Sequence, residues 1–537
     1  MKKMMAMTTA AVMCGAFLAT TWGAANVPVN AMTTEAAAQT FAPGQAFTAK
    51  ELPFAQSMTV LDATQMDVTG DGEIDDVLLL GHKEKADDLY STDVTVVVKD
   101  GKAKTYATLS IGKVDGGYEP KVTSMDFNED GVSDLLVQMA NGGSGGTSTY
   151  SLLTFAGGKG KELVPQEKLN EGITLEAKFV DGFKAQVTNK LTGKTSTIDI
   201  SAGKDGYLDA KIYDKAGKLL IPIEGAYDGY GAITPQFQPD GTIALAGVQK
   251  ISGAAHADTI GFAKSVWTLE NGQLTLKEAM ISPLDTDNLP STRVEANKPF
   301  TEKDAKPNTM IVDAKYADVT GDGAKDDILL VGTKEADSPY VTDLRVVVKD
   351  GKTGKEVQTS VGEGNGGYEP SLFIGQFDKT PGKEVMVEMA TGGSGGVYTY
   401  SLLSFADNKP AEVVKQSLLN QGLSYDIQFA DQFKVNVTNT ADKEMQSIDV
   451  TNAKGAYVEM GIYTKEGVVK EKTTGMIDGF GQLAPIDKDE DGVLELRGLQ
   501  RISGAYHADG LATAVSVWKV DGDKLALQSK EIVPLKR

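Results

Sequence analysis

The sequence predicts an all-β protein: two tandem copies of one unit, each of about four small antiparallel sheets arranged like the blades of a β-propeller. Three observations predict this. Long motifs recur at a spacing of about 250 residues, and such self-similarity marks duplicated architecture. Apolar residues either alternate with a period of two or fall in short β-branched runs, the signature of strands. The 59 glycines against 18 prolines supply the tight turns that many short strands need.

The duplication is long and ordered. DVTGDGEIDDVLLLG at 67–81 returns as DVTGDGAKDDILLVG at 318–332, and VVVKDGK at 96–102 returns at 346–352. GGYEP stands at 116–120 and 366–370, GGSGG followed by YSLL at 142–153 and 392–403, and ISGAAHAD at 251–258 becomes ISGAYHAD at 502–509. These matches define a first β unit at 54–283 and a second at 306–537. The polar, proline-bearing stretch 284–305 reads as a linker and 32–53 as a polar leader. Strand patterns are plain at 94–98, 183–187 and 195–200, and Asp-Gly pairs at 100–101 and 350–351 suit hairpin turns. Strand counting leaves a β-sandwich, or one ring formed by both copies together, as alternatives.

The N-terminus sets the compartment. Lys2 and Lys3 precede an apolar run and then small residues, so 1–31 reads as a secretory signal peptide. The chain is therefore expected outside the cytoplasm: extracellular, at the cell surface or periplasmic. Cys14, the sole cysteine, lies inside that segment and would leave with it. No disulfide would then stabilise the mature units. A net charge of −21 argues against nucleic acid as a partner and against insertion into anionic membranes once the leader is removed. It favours divalent cations.

Four loops carry that chemistry. Asp67, Thr69, Asp71 and Asp75 stand at positions 1, 3, 5 and 9 of a nine-residue loop with glycine at position 6. The same spacing recurs in Asp126, Asn128, Asp130 and Asp134; in Asp318, Thr320, Asp322 and Asp326; and in Asp487, Asp489, Asp491 and Glu495. Ca²⁺ takes six to eight hard oxygens at about 2.3–2.6 Å, and alternating positions of a tight turn aim them at one point. The position-7 carbonyls of Glu73, Val132, Ala324 and Val493 would add a neutral ligand. Position 12, where an EF-hand places a bidentate glutamate, holds Leu78, Val137, Leu329 and Gly498, so these are not EF-hands. In the opposite copies the pattern decays, to QFDKTPGKE at 376–384 and to a lone Asp240 within 236–241.

Asp loops leading into apolar strands resemble the FG-GAP and VCBS-type repeats of extracellular proteins. That resemblance implies a β-propeller with calcium in the four loops named above, and supplies no substrate.

Other chemistry is sparser. His256 with Asp258, and His507 with Asp509, offer a His–Asp couple two residues apart, a spacing that turns commonly contain. The GGSGG segments lack the Lys-Ser/Thr of a phosphate loop. Tyr118–Glu119 and Tyr368–Glu369 could face a sugar. The function expected is a calcium-binding scaffold or binding module for an extracellular glycan or protein. The alternative is a secreted polysaccharide hydrolase or lyase, and the sequence shows no catalytic constellation for it.

Overall fold

The computed structural model describes residues 41–537 apart from 144, 302–305, 337, 394, 490 and 537. The expected signal peptide at 1–31 lies outside the described residues. The chain forms two compact units, the first ending at Asp285 and the second starting at Thr286.

The first unit holds two antiparallel sheets. One runs Thr59–Met66, Asp75–His82, Tyr90–Lys99, Gly117–Met125, Asp134–Ala140, Ser148–Thr154, Lys161–Val164, with Tyr106–Ser110 as a branch on Tyr90–Lys99. The other runs Thr195–Asp199, Lys184–Asn189, Leu175–Val180, Glu224–Phe237, Ile243–Ser252, Thr259–Glu270, Gln273–Pro283. The second unit repeats this order. Its eight-stranded sheet spans Thr309–Ala317 to Ala411–Val414, and its remaining strands form a three-stranded and a four-stranded sheet.

All-β character and duplication are thus present, but a ring of four separate small sheets per unit is not what the described residues form. Tyr90 and Ser91 pair with Tyr118 and Gly117, which joins two four-strand groups into one eight-stranded sheet. Glu224 and Gly225 pair with Lys178 and Ala177 to do the same in the seven-stranded sheet. The edge N–H and C=O groups that a separate blade would expose are consumed in these joins.

The apolar runs explain the layering. In Asp75–His82, Val77 and Leu79 face a core with Val96, Val98, Leu135 and Phe155. Leu78 and Leu80 face a second cluster with Phe47 and Val97. A strand covered on both faces reads as a continuous apolar run, as this one does. The polar stretches are packed too. Phe47 is fully buried and its N–H donates to the Met58 carbonyl at 2.9 Å. Asn288 exchanges two hydrogen bonds with the Ile374 backbone at 2.7 and 2.8 Å. Asp287 clamps Lys325 and Lys383 at 2.6 and 2.7 Å.

Candidate metal centre

All four Asp loops are hairpin connections between directly paired antiparallel strands. Their backbones close in one way. The position-1 carboxylate accepts the N–H of the position-6 glycine: Gly72 to Asp67 at 2.8 Å, Gly131 to Asp126 at 2.9 Å, Gly323 to Asp318 at 2.8 Å and Gly492 to Asp487 at 3.2 Å. The position-5 carboxylate accepts the N–H of position 7, from Glu73, Val132, Ala324 and Val493. The four glycines sit at φ of +84° to +88°, where a Cβ would be strained.

Position 9 separates the loops. Asp75 accepts three backbone N–H groups, from Val68, Thr69 and Gly101 at 2.8 to 3.0 Å. Asp326 does the same with Val319, Thr320 and Gly351. Both carboxylates are fully buried, and burial raises the Asp326 pKa. They tie the loop to the neighbouring Asp-Gly turn, with three of about four lone-pair sites taken by backbone N–H groups. In the same two loops the ammonium of Lys102 or Lys352 donates to the carbonyl of Asp71 or Asp322 at 3.1 and 3.0 Å.

The second loop is less complete. Asp134 is fully buried, yet only its Oδ2 accepts backbone N–H groups, from Phe127 and Asn128. Its Oδ1 accepts no backbone N–H, and the Thr154 hydroxyl beside the carboxyl acts to lower its pKa. Burial, reinforced by the charges of Asp130 and Asp126, pushes the Asp134 pKa up to about 6.

The fourth loop gathers its carboxylates. Asp487, Asp489 and Asp491 each place one oxygen within 4.8 Å of the other two, the only acidic group of three so arranged among the described residues. That spread equals about twice a Ca²⁺–O distance of 2.4 Å, so one ion fits between them. Lys519 already approaches this group, its ammonium 3.8 Å from Asp489, 3.4 Å from Asp491 and 3.3 Å from Glu495. The Val493 N–H, and after it Lys519, hold the Asp491 carboxyl below its ordinary pKa. Lys379 adds a further positive charge near Asp491, so the carboxylates are partly offset.

The His–Asp couples are not those that sequence spacing suggested. Asp258 accepts the Tyr207 hydroxyl with both oxygens at 2.9 Å, and Asp509 accepts Tyr457 at 2.7 and 2.8 Å. His256 Nδ1 faces Asp228 Oδ1 at 3.5 Å instead, and His507 Nδ1 faces Asp478 Oδ1 at 3.4 Å. Asp228 and Asp478 sit in AYDGY and MIDGF, where the only common signal is an Asp-Gly at corresponding places of the repeat.

Fold and loops define a duplicated antiparallel β protein with acidic hairpin loops. The chain belongs to the YybI family. The YybI C-terminal domain model matches 173–282 and 423–533, which is the second sheet region of each half. YybI of Bacillus subtilis (strain 168), an uncharacterised protein, is 32% identical over 235 residues, covering 44% of this chain and 88% of that relative. Among solved structures, rhamnogalacturonan lyase YesW is matched over 88% of this chain and 74% of that one, at 13% identity and a TM-score of 0.20. For the exotype rhamnogalacturonan lyase YesX the figures are 90%, 73%, 15% and 0.20. For the Bacillus licheniformis rhamnogalacturonan lyase they are 92%, 75%, 15% and 0.18. At such scores these likenesses carry neither fold nor activity to this chain.

The resemblance to FG-GAP and VCBS repeats is thereby corrected, and with it the propeller it implied. It rested on the nine-residue Asp-Gly turns together with the GGYEP, GGSGG and YSLL segments, and Asp, Asn and Gly favour such turns on their own. The family match rests instead on about 110 residues in each half and includes only the fourth Asp loop. Among the described residues no helix is long and apolar enough to cross a membrane.

Proposed function

We propose that this protein is a calcium-binding scaffold or binding module that works outside the cytoplasm, with the loop 487–495 as its principal cation site and the loop 126–134 as a second. The carrying observation is the convergence of Asp487, Asp489 and Asp491 oxygens within 4.8 Å of one another. In the second loop the support is the buried Asp134 Oδ1, which accepts no backbone N–H and has only the Thr154 hydroxyl near it, so a cation would complete it. Asn128 and the Val132 carbonyl would join Asp126 and Asp130 there, and the Val493 carbonyl and Glu495 would join the fourth loop. The ion supplies charge neutralisation and a fixed loop. Export rests on the leader-like composition of 1–31.

With an affinity of about 10⁻⁴ to 10⁻³ M, usual for extracellular calcium modules, 1 mM Ca²⁺ stabilises by roughly 0.4–1.4 kcal/mol per site. Isothermal titration of the full chain with Ca²⁺ tests the reading. Saturable binding that falls by about one ion in D489N/D491N supports it. An absence of heat up to 10 mM Ca²⁺, with the chain folded, would overturn it.

A further inference from the structure

Both units carry a second cluster, remote in sequence from the Asp loops, built where strands of two sheets bulge. In the first unit the pairing of Gly117–Met125 slips between Tyr118 and Lys121, and Glu119 is held at φ +45°. The same slip occurs between Tyr368 and Ser371, with Glu369 at φ +45°. Both glutamates thus sit in the left-handed region that favours glycine, which turns the neighbouring tyrosine outward. The bulge presents Tyr118, which meets Tyr90 edge-on with centroids 4.9 Å apart; both rings are about 40% exposed. Tyr340 and Tyr368 repeat the pair at 5.0 Å.

The strands Glu224–Phe237 and Met476–Ile486 are bulged too, and the bulges flank Asp228 and Asp478. In both carboxylates Oδ2 is buried and has no hydrogen-bond partner. Lys250 forms an ion pair with Asp228 Oδ2 at 3.2 Å. At the corresponding place Arg501 turns to the Ala508 carbonyl, leaving its own buried Nε without an acceptor. In the second unit Asp478 Oδ2 lacks a donor and Arg501 Nε lacks an acceptor, while in the first unit Asp228 Oδ2 has the Lys250 charge beside it and lacks only a hydrogen bond.

A glycine segment links the two halves of the cluster. A Cβ on Gly142 would stand 2.6 Å from the Tyr118 ring, and one on Gly145 would stand 3.8 Å from Asp228 Oδ2. Gly392 meets Tyr368 and Gly395 meets Asp478 likewise. Three residues span at most about 10 Å, so the aromatic pair and the carboxylate lie within reach of one extended ligand. The imidazoles of His256 and His507, more than half exposed, border the carboxylates.

We infer that each unit binds a neutral saccharide here, its sugar face on Tyr118 or Tyr368 and its vicinal hydroxyls on Asp228 or Asp478. Sugar hydroxyls can donate to the Asp228 and Asp478 oxygens that lack a hydrogen bond, and in the second unit can also accept from Arg501, while tyrosine faces take the apolar side of a sugar ring. Lys250 and His256 offset the Asp228 charge locally, but the chain as a whole carries −21, which favours an uncharged ligand over a uronate. This site uses none of the Asp-loop residues.

Affinity electrophoresis of the full chain in gels containing soluble starch, galactan, mannan or polygalacturonate tests it, with Ca²⁺ or with chelator. The expected result is retardation by a neutral polysaccharide in both conditions. It should weaken about tenfold in Y118A/Y368A and in D228N/D478N but survive in Y118F/Y368F, which keeps the ring. Retardation by none of the neutral polysaccharides, or by polygalacturonate alone, would overturn the inference, as would undiminished retardation in the alanine pair. The surface tyrosines keep the test valid if the buried aspartate variants do not fold.

Discussion

The side-chain amide of Gln376 donates to the Thr380 carbonyl at 3.0 Å, and the same nitrogen also donates to the carbonyls of Asp378 and Gly382. These are positions 3, 5 and 7 of the hairpin loop that corresponds to 126–134 in the first unit. An uncharged N–H₂ thus fills the centre of the loop and takes up the position-7 carbonyl that a cation would otherwise use. The duplication holds one hairpin in two chemical versions, and the difference is open to exchange.

Restoring acids at positions 1 and 5 of that loop should create a site. In Q376D/T380D the amide is gone and two carboxylates join Asp378 and Glu384. Equilibrium dialysis against Ca²⁺ should find about one more ion per chain than in the parent. An unchanged stoichiometry in a folded variant would remove the amide-for-cation reading of this loop.

Asp75 should matter for stability and not for calcium. Its two oxygens accept three backbone N–H groups in a fully buried position. In D75N the amide nitrogen cannot accept, so at least one buried N–H faces a donor. A hydrogen bond to a charged group contributes about 1.5–3 kcal/mol. A loss near 3 kcal/mol should lower the melting temperature of the first unit by roughly 6–12 °C. Calorimetry gives the melting shift, and calcium stoichiometry should stay as in the parent.

This contrast shows what was legible in the sequence and what was not. Spacing located all four hairpins and the duplicated strands, because position-6 glycines and position-1 and position-5 acids serve the turn itself. Spacing could not tell Asp75, held by three backbone donors, from Asp134, with one oxygen that accepts no backbone N–H. That difference depends on Gly101, 26 residues beyond Asp75 and brought to it by the adjacent hairpin. The His256–Asp228 approach was equally hidden, since its partners lie on different strands and the nearer Asp258 is engaged by Tyr207. The ring of separate sheets failed on a few edge pairs, such as Tyr90 with Tyr118, that leave no trace in apolar periodicity.

Glu384 should make the second unit less stable as pH rises. Burial, with Asp378 adding repulsion, pushes its pKa up to about 7 from an ordinary 4.5. The folded state therefore holds this proton more tightly than the unfolded chain. Stability should fall as pH climbs from about 4.5 to 7, and the deficit should be complete above 7. E384Q keeps an oxygen for the Phe377 N–H and has no charge to bury. Urea denaturation should show E384Q more stable than the parent at pH 8 and close to it at pH 4.5. Equal differences at both values would mean that Glu384 does not titrate in this window.

The hydroxyls of Tyr207 and Tyr457 should anchor the turns that carry the histidines. Each donates to both oxygens of an aspartate, Asp258 or Asp509, whose Oδ2 also accepts the N–H of Ala254 or Ala505 at 2.8 Å. The tyrosines come from the short helices Lys204–Asp209 and Lys454–Glu459, so each bond ties a helix to a turn about fifty residues away. Phenylalanine fills the ring's space but leaves the carboxylate short of a donor, at a cost of about 1.5–3 kcal/mol. The penalty should be larger for Y457F, because Tyr457 is 1% exposed and Asp509 is itself buried, whereas Tyr207 is 6% exposed and Asp258 only partly covered. Thermal melts of the two single variants measure this, and hydrogen exchange at 254–258 and 505–509 should quicken in each. If Y207F and Y457F melt like the parent, the hydroxyl bonds do not hold these turns, and the placement of His256 and His507 must come from the strand bulges alone.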